Sequence, residues 1–297
     1  MGFELMVTLQ NEYLKVEINE LGAELTSVRS LDNDLEYIWI ANKKVWGRHA
    51  PILFPIVGRL KDDHYKYEGT NYEMHQHGFA RDSIFEVVDS NDTHATLKLI
   101  DNDKTHKMYP FEFELVVSFD LKNHELQETY RVYNPDAENH LLFSVGGHPG
   151  FNTNLGKDQT FEDVKLSVAP KQSYTQIPLK APLNDAKNAF PVDFTKPLAL
   201  THETFKDDAL ILELHDPETT LMLDNSKNDH GVALTVKNAP YVGIWSPYPA
   251  QGNFVCIEPW WGIADNVDST GELEEKMGMN DLKPQSEASQ IFEISFF

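Results

Sequence analysis

The sequence predicts an all-β protein built as a large antiparallel β-sandwich, and three observations carry that expectation. Hydrophobicity alternates with a period of two along much of the chain, as in strands with one buried and one wetter face. Turn signals rich in Gly, Asn, Asp and Pro recur between these runs at spacings typical of antiparallel sheets. Helical patterns are scarce, and no long amphipathic helix alternates with the strands, which argues against a doubly wound parallel sheet.

The alternation starts at Leu14-Lys15-Val16-Glu17-Ile18, and Ala95-Thr96-Leu97-Lys98-Leu99 repeats it. Phe111-Glu112-Phe113-Glu114-Leu115 does the same and runs into an apolar stretch through Phe119. Further strands are expected at 127–133, 141–145, 209–214, 220–223, 232–236, 242–245 and 254–258, with turns at Glu68-Gly69, Asn91-Asp92, Asn134-Pro135-Asp136 and Asn228-Asp229-His230-Gly231. The best helical pattern is 271–282, acidic at its start, a turn or two long and stopped by Pro284. The polar stretch 169–201 still carries Tyr174, Ile177, Phe190, Val192 and Phe194. It reads as a long ordered loop or an excursion over the sheet, of the kind that borders ligand sites. With no linker, repeat or low-complexity tract, residues 1–297 are expected to form a single domain.

At 297 residues and 41% hydrophobic, with 17 Phe, 5 Trp and 11 Tyr, the chain can pack a core without metal or disulfide staples. The 25 Lys and Arg against 47 Asp and Glu leave a net charge of −22, which repels a nucleic-acid backbone or an anionic bilayer, so neither is an expected partner. Cys256 stands alone and cannot form an intramolecular bridge. The start MGFELMVTLQ has neither the basic nor the apolar region of a leader, and no run approaches the roughly 18 apolar residues of a membrane span. A cytoplasmic protein is the expectation.

Three clusters concentrate ionisable residues beside backbone-restricting ones: Trp46-Gly47-Arg48-His49-Ala50-Pro51 through Gly58-Arg59-Leu60, His75-Gln76-His77-Gly78-Phe79-Ala80-Arg81, and Gly146-Gly147-His148-Pro149-Gly150-Phe151-Asn152. Glu258 joins them, at the end of Phe254-Val255-Cys256-Ile257 and before Pro259-Trp260-Trp261. Strand alternation puts Val255 and Ile257 on one face and Cys256 and Glu258 on the other, while Pro259 keeps Glu258 extended. Desolvation beside two tryptophans would raise this carboxyl into the range of a general base; the competing reading is a strand-end glutamate paired with Arg or Lys.

His148, between two glycines and a proline, is either a proton donor near neutral pH or a turn histidine bonded to its own loop. His75 and His77 have the spacing of two imidazoles on one strand face, as in some metal sites, but without a clear third and fourth ligand the substrate-binding or structural reading is preferred and no metal is assigned. An EF-hand loop fails at His106, where Gly is required, and Cys256 in an apolar strand reads as core. Of five arginines, Arg48, Arg59 and Arg81 fall in the first two clusters, where their planar donor forks suit sugar oxygens or a phosphate, or clamp loops through carboxylates.

Together, Gly58-Arg59, Gln76 to Arg81, Gly147 to Asn152 and Cys256-Ile257-Glu258-Pro259-Trp260 resemble, in matching order along the whole chain, the aldose 1-epimerase (galactose mutarotase-like) family, and within it the LacX-type branch. The resemblance implies a β-supersandwich isomerase that interconverts α and β anomers of a hexose without a cofactor. By motif it implies Glu258 as the general base at the anomeric hydroxyl and His148 as the acid at the ring oxygen, with His77 assisting there and Arg59 binding sugar hydroxyls. Asp208, in Lys206-Asp207-Asp208-Ala209, matches the family aspartate that holds distal hydroxyls, with Asp207 the alternative. Arg81 and Arg48 complete the expected substrate-binding set. The same His77-to-Arg81 stretch also resembles the hexose-6-phosphate mutarotase branch, which leaves phosphorylated sugars open, as does a non-catalytic sugar binder of the same fold.

Overall fold

In the computed structural model, the protein is described over residues 6–156, 159–225 and 227–297. Five residues of the N-terminal stretch read above for a leader lie outside the described residues. The alternating segments fold as strands whose burial follows their hydrophobicity. Leu14–Asn19 and His94–Ile100 each bury every second residue, as does most of Glu125–Tyr133.

Two large antiparallel sheets dominate. The nine-stranded sheet runs in the order Leu198–Ala199, Val164–Ala169, Glu218–Asn225, Gly231–Lys237, Glu287–Phe296, Glu125–Tyr133, Glu114–Lys122, His94–Ile100 and Glu86–Ser90. The eight-stranded sheet is Phe190–Asp193, Ser173–Ile177, Leu210–Glu213, Tyr241–Trp245, Phe254–Trp261, Val145–Gly147 and Ile52–Leu53 in order, with Gly150–Asn152 also paired to Phe254–Trp261. A three-stranded sheet, Met6–Gln10, Leu14–Asn19 and Glu24–Ser30, lies beside them. One apolar cluster joins Leu97, Leu126 and Phe292 of the larger sheet to Leu212, Val255 and Ile257 of the smaller, so the core lies between the two. This is the antiparallel sandwich the alternation predicts.

Strand Phe254–Trp261 is buried at all eight positions, because sheet neighbours flank it and both its faces are covered. Val255 and Ile257 face the main core; Cys256 packs on the other side with Trp39 and Phe254. The polar residue carried into this strand, Glu258, is therefore desolvated by the fold itself.

Four expectations are corrected. Residues 271–282 form no α-helix: a single 3-10 turn at Leu273–Glu275 leads into strand Asn280–Leu282, which pairs with Leu141–Phe143. The expected strand 141–145 is broken at Ser144 into Leu141–Phe143 and Val145–Gly147, which join different partners. Residues 111–113 precede their strand, which begins at Glu114. Stretch 169–201 contains strands rather than one loop, Ser173–Ile177 pairing with Phe190–Asp193 at the sheet edge and Leu179–Lys180 with Leu183–Asn184. Among the described residues, no helix is long and apolar enough to cross a membrane.

Candidate active site

Strand register builds the centre of the site. Glu258 lies opposite Gly243 on one flank of its strand. On the other flank the neighbouring chain is interrupted: Val145 and Gly146 pair with Trp261 and Trp260, and Gly150 pairs with Cys256, but His148 and Pro149 form no strand pair between them. Proline has no N–H to give the ladder, so the gap is built into the sequence. Into it the His148 ring turns toward Glu258, Nε2 to Oε2 at 3.1 Å, with both residues buried. Trp46 stacks on the His148 ring at 5.0 Å between centroids, and Trp245 meets it edge-on at 5.8 Å. These rings fix the imidazole and cover two sides of it. His148 Nδ1 is buried and has no hydrogen-bond partner, so the ring's polar contact within the protein is the one it makes to Glu258 through Nε2.

Glu258 and His148 border a cavity of about 330 Å³ that is also lined by His77, Arg59, Arg81 and Asp208. His77 stands in a turn where it and Gly78 both have positive φ, and a Cβ at Gly78 would collide with the Phe54 carbonyl. The Gly58 N–H donates to His77 Nδ1 at 3.1 Å, so a neutral His77 carries its proton on Nε2. Burial first, then the neighbouring His148 and Arg81, push its pKa well below 6.5 and keep it neutral. The reading of His75 and His77 as a pair on one strand face is corrected: the chain turns between them, His75 is exposed and His77 is buried.

Arg59 clasps Asp63 through Nε at 2.7 Å and Nη2 at 3.0 Å while lining the cavity. Arg81 donates from Nη2 to the Gln76 carbonyl at 2.6 Å. Asp208 lines the cavity with its Oδ1 accepting the Ala209 N–H at 2.9 Å, whereas Asp207 is exposed and stays off it. Arg48 is not among the lining residues: its guanidinium is spent on the Asp82 carboxylate at 2.6 Å and the Arg81 carbonyl at 3.1 Å, so it braces the Arg81 turn instead of reaching a ligand.

Residues outside the sequence-predicted set also shape the walls: Trp46, Trp245, Trp260, Gln76, Leu179 and Pro182. Trp46 and Gln76 sit inside the clusters quoted above and Trp260 follows Glu258 by two; Trp245 is brought in by sheet register, which no local signal reveals. Behind the Arg59 wall, Asp265 donates its N–H to the Arg59 carbonyl at 2.9 Å while its carboxylate faces buried Lys276 at 3.5 Å.

Burial, and secondarily the charge of Asp208, push the Glu258 carboxyl well above the usual carboxylate range, while burial drives His148 below 6.5. Across 3.1 Å the two groups hold one proton between them at neutral pH, on the carboxyl or on the imidazole, with no net charge in either arrangement. Such a pair can take a proton from one oxygen of a ligand while giving one to another.

Fold and sequence pattern together define the class: the chain belongs to the aldose 1-epimerase family, which it matches over residues 5–274. It is a mutarotase-like protein. Among solved structures, a galactose mutarotase related enzyme from Lactobacillus acidophilus is 44% identical and superposes with a TM-score of 0.97, covering 99% of this chain and 97% of that one. A galactose mutarotase-like protein from Lactobacillus casei is 32% identical with a TM-score of 0.89, over 99% of this chain and 100% of the other. Protein LacX of Lactococcus lactis subsp. lactis is 28% identical over 300 residues, 98% of this chain and 99% of its own.

Proposed function

We propose that the protein interconverts the α and β anomers of an unphosphorylated aldohexose, with Glu258 and His148 as the acid–base pair. The observation that carries this reading is the 3.1 Å contact between the two buried groups at the edge of a cavity of sugar-binding size. In the reacting arrangement Glu258 is anionic and His148 cationic. Glu258 accepts the proton of the anomeric hydroxyl, the C1–O1 bond becomes a carbonyl, the bond from C1 to the ring oxygen breaks, and His148 protonates that oxygen. Neutral His77 donates a hydrogen bond from Nε2 at the same oxygen. Rotation about C1–C2 presents the other carbonyl face, and closure runs with the proton roles reversed. Only protons pass between sugar and protein and the anomeric carbon keeps its oxidation level, so the balance needs no redox partner. Asp208, Arg59 and Arg81 hold the distal hydroxyls.

The neutral sugar is preferred because most of the positive charge that could meet a phosphate is already engaged, leaving Arg81, whose Nε stands 3.8 Å from Asp82, as the one guanidinium of the three without a close carboxylate. Arg59 is chelated by Asp63, Arg48 is bound to Asp82, and Asp208 adds a carboxyl to the cavity. The test is polarimetry or NMR of freshly dissolved α-glucose, α-galactose and glucose 6-phosphate. The expected result is acceleration of the neutral sugars, lost by about 10²–10⁴-fold in Glu258→Gln and His148→Ala with the fold intact. No acceleration of any sugar by the wild type, with binding retained, turns the reading into a carbohydrate-binding protein; faster turnover of the phosphate overturns the charge argument.

A further inference from the structure

Cys256, the only cysteine, has no part in the proposed reaction, yet it lies two residues before Glu258 on the same strand. Its cross-strand partner on one flank is Gly150, which has no side chain to intervene, with Trp245 on the other flank, and His148 stands two residues before that glycine. As a result a sulfur, an imidazole nitrogen and a carboxylate oxygen converge within 4.8 Å of one another on three buried residues. We propose that Cys256, His148 and Glu258 form a binding site for a thiophilic divalent cation, Zn²⁺ above all, whose occupation shuts the anomerisation site.

The donor set fits that ion. Zn²⁺ takes Cys sulfur at about 2.3 Å and His nitrogen or carboxylate oxygen at about 2.0–2.2 Å, which sets tetrahedral edges of roughly 3.3–3.7 Å between ligand atoms. His148 Nε2 and Glu258 Oε2, at 3.1 Å, are already close to such an edge, so closure falls mainly to the sulfur, through rotation of the Cys256 side chain. Binding releases two protons, the thiol proton and the one shared by His148 and Glu258. The thiolate and carboxylate then balance the dication, leaving the buried site neutral. The adjoining cavity offers the fourth position to water, as in open three-ligand zinc sites. Mg²⁺ and Ca²⁺, which require six or more oxygen ligands, do not match. The bound ion would engage both groups assigned to proton transfer, so inhibition, though not binding, rests on the proposed reaction.

Cobalt reads the site directly, because a thiolate bound to Co²⁺ gives an intense near-ultraviolet charge-transfer absorption. Titration of the wild-type protein with CoCl₂ is expected to produce that band at one equivalent, and Cys256→Ser to abolish it while unfolding as cooperatively as the wild type. Cys256→Ala, which adds no hydroxyl to the apolar pocket of Trp39 and Phe254, makes the same comparison should serine disturb packing. In the anomerisation assay ZnCl₂ is expected to slow the wild type reversibly to EDTA. Cys256→Ser, unchanged without metal, should need at least about tenfold more, and MgCl₂ should have no effect. Absence of the thiolate band, or equal zinc inhibition of wild type and Cys256→Ser, overturns the site. A band in a protein with no anomerisation activity keeps the metal site and removes the proposed reaction; activity without a band does the reverse.

Discussion

Glu128 offers a prediction whose size can be worked from the structure. It lies in the nine-stranded sheet, 4% exposed, with the Tyr130 hydroxyl donating to Oε2 at 2.9 Å and Oε1 buried without a partner. Burial, opposed by the Tyr130 hydrogen bond, pushes its carboxyl up to about 7 from 4.5. The folded protein thus holds a proton that the unfolded chain gives up between these values. This group penalises folding little below pH 4.5, and the penalty grows as pH rises until it is complete above 7. At about 1.4 kcal/mol per pH unit the full penalty is about 3 kcal/mol. Glu128→Gln keeps the shape and the acceptor for Tyr130 but cannot ionise; it buries an amide with an unmatched donor, at about 1–2 kcal/mol. The variant should be about 1–2 kcal/mol more stable than wild type at pH 8 and less stable by a similar amount at pH 4.5. Urea unfolding at the two pH values measures both, and their difference, about 3 kcal/mol, is independent of the amide penalty. A wild-type-to-variant gap that is the same at both pH values refutes the reasoning.

Because burial lowers the His148 pKa toward about 3, a second proton should enter the proposed acid–base pair only far below the ordinary histidine range; kcat/KM for anomerisation should stay level as pH falls through 6.5, and an acid limb near 6.5 would contradict the shared-proton arrangement. Gly243→Ala would drive a Cβ to 2.6 Å from the Trp260 ring, directly across the strand from Glu258, so it should cost about 1–3 kcal/mol in urea unfolding and raise KM through the displaced cavity wall.

The fold was legible wherever one face of a strand meets the core and the other meets water, as in Leu14–Asn19 and His94–Ile100. It was illegible where a partner far along the chain decides the structure. Asn280–Leu282 is a strand because Leu141–Phe143 offers it hydrogen bonds, and nothing in 271–282 announces that pairing. Phe190–Asp193 escapes recognition although Phe190, Val192 and Phe194 alternate with Pro191 and Asp193, because Pro191 interrupts the short run and the strand is a largely exposed sheet edge set in a polar stretch. At the site, Glu258 could be singled out because its signal is local: an apolar strand, one carboxyl, then proline. His75 and His77 misled for the converse reason, since positive φ at His77 and Gly78 replaces the assumed strand by a turn. Arg48 was assigned by proximity in sequence, but Asp82, thirty-four residues on, captures its guanidinium.

The charge of −22 acquires a different meaning once burial is known. Among the described residues four carboxyl side chains are buried: Glu128, Asp185, Glu258 and Asp265. The acidic excess is therefore a property of the surface, where solvent screens it, and each buried member has a specific neighbour. Asp185 is bound by Lys180 at 2.8 Å, Asp265 faces Lys276, and Glu128 accepts from Tyr130. Glu258 differs on two counts. Its neighbour, His148, titrates rather than remaining a fixed cation or a neutral hydroxyl, and of the four it alone lines the 330 Å³ cavity. Burial without a proton partner would leave an inert carboxylic acid, and a partner without a cavity would make a structural pair. Among the buried carboxyls that coincidence falls at one residue alone, and it is what singles out Glu258 as the proposed base in a chain so acidic overall.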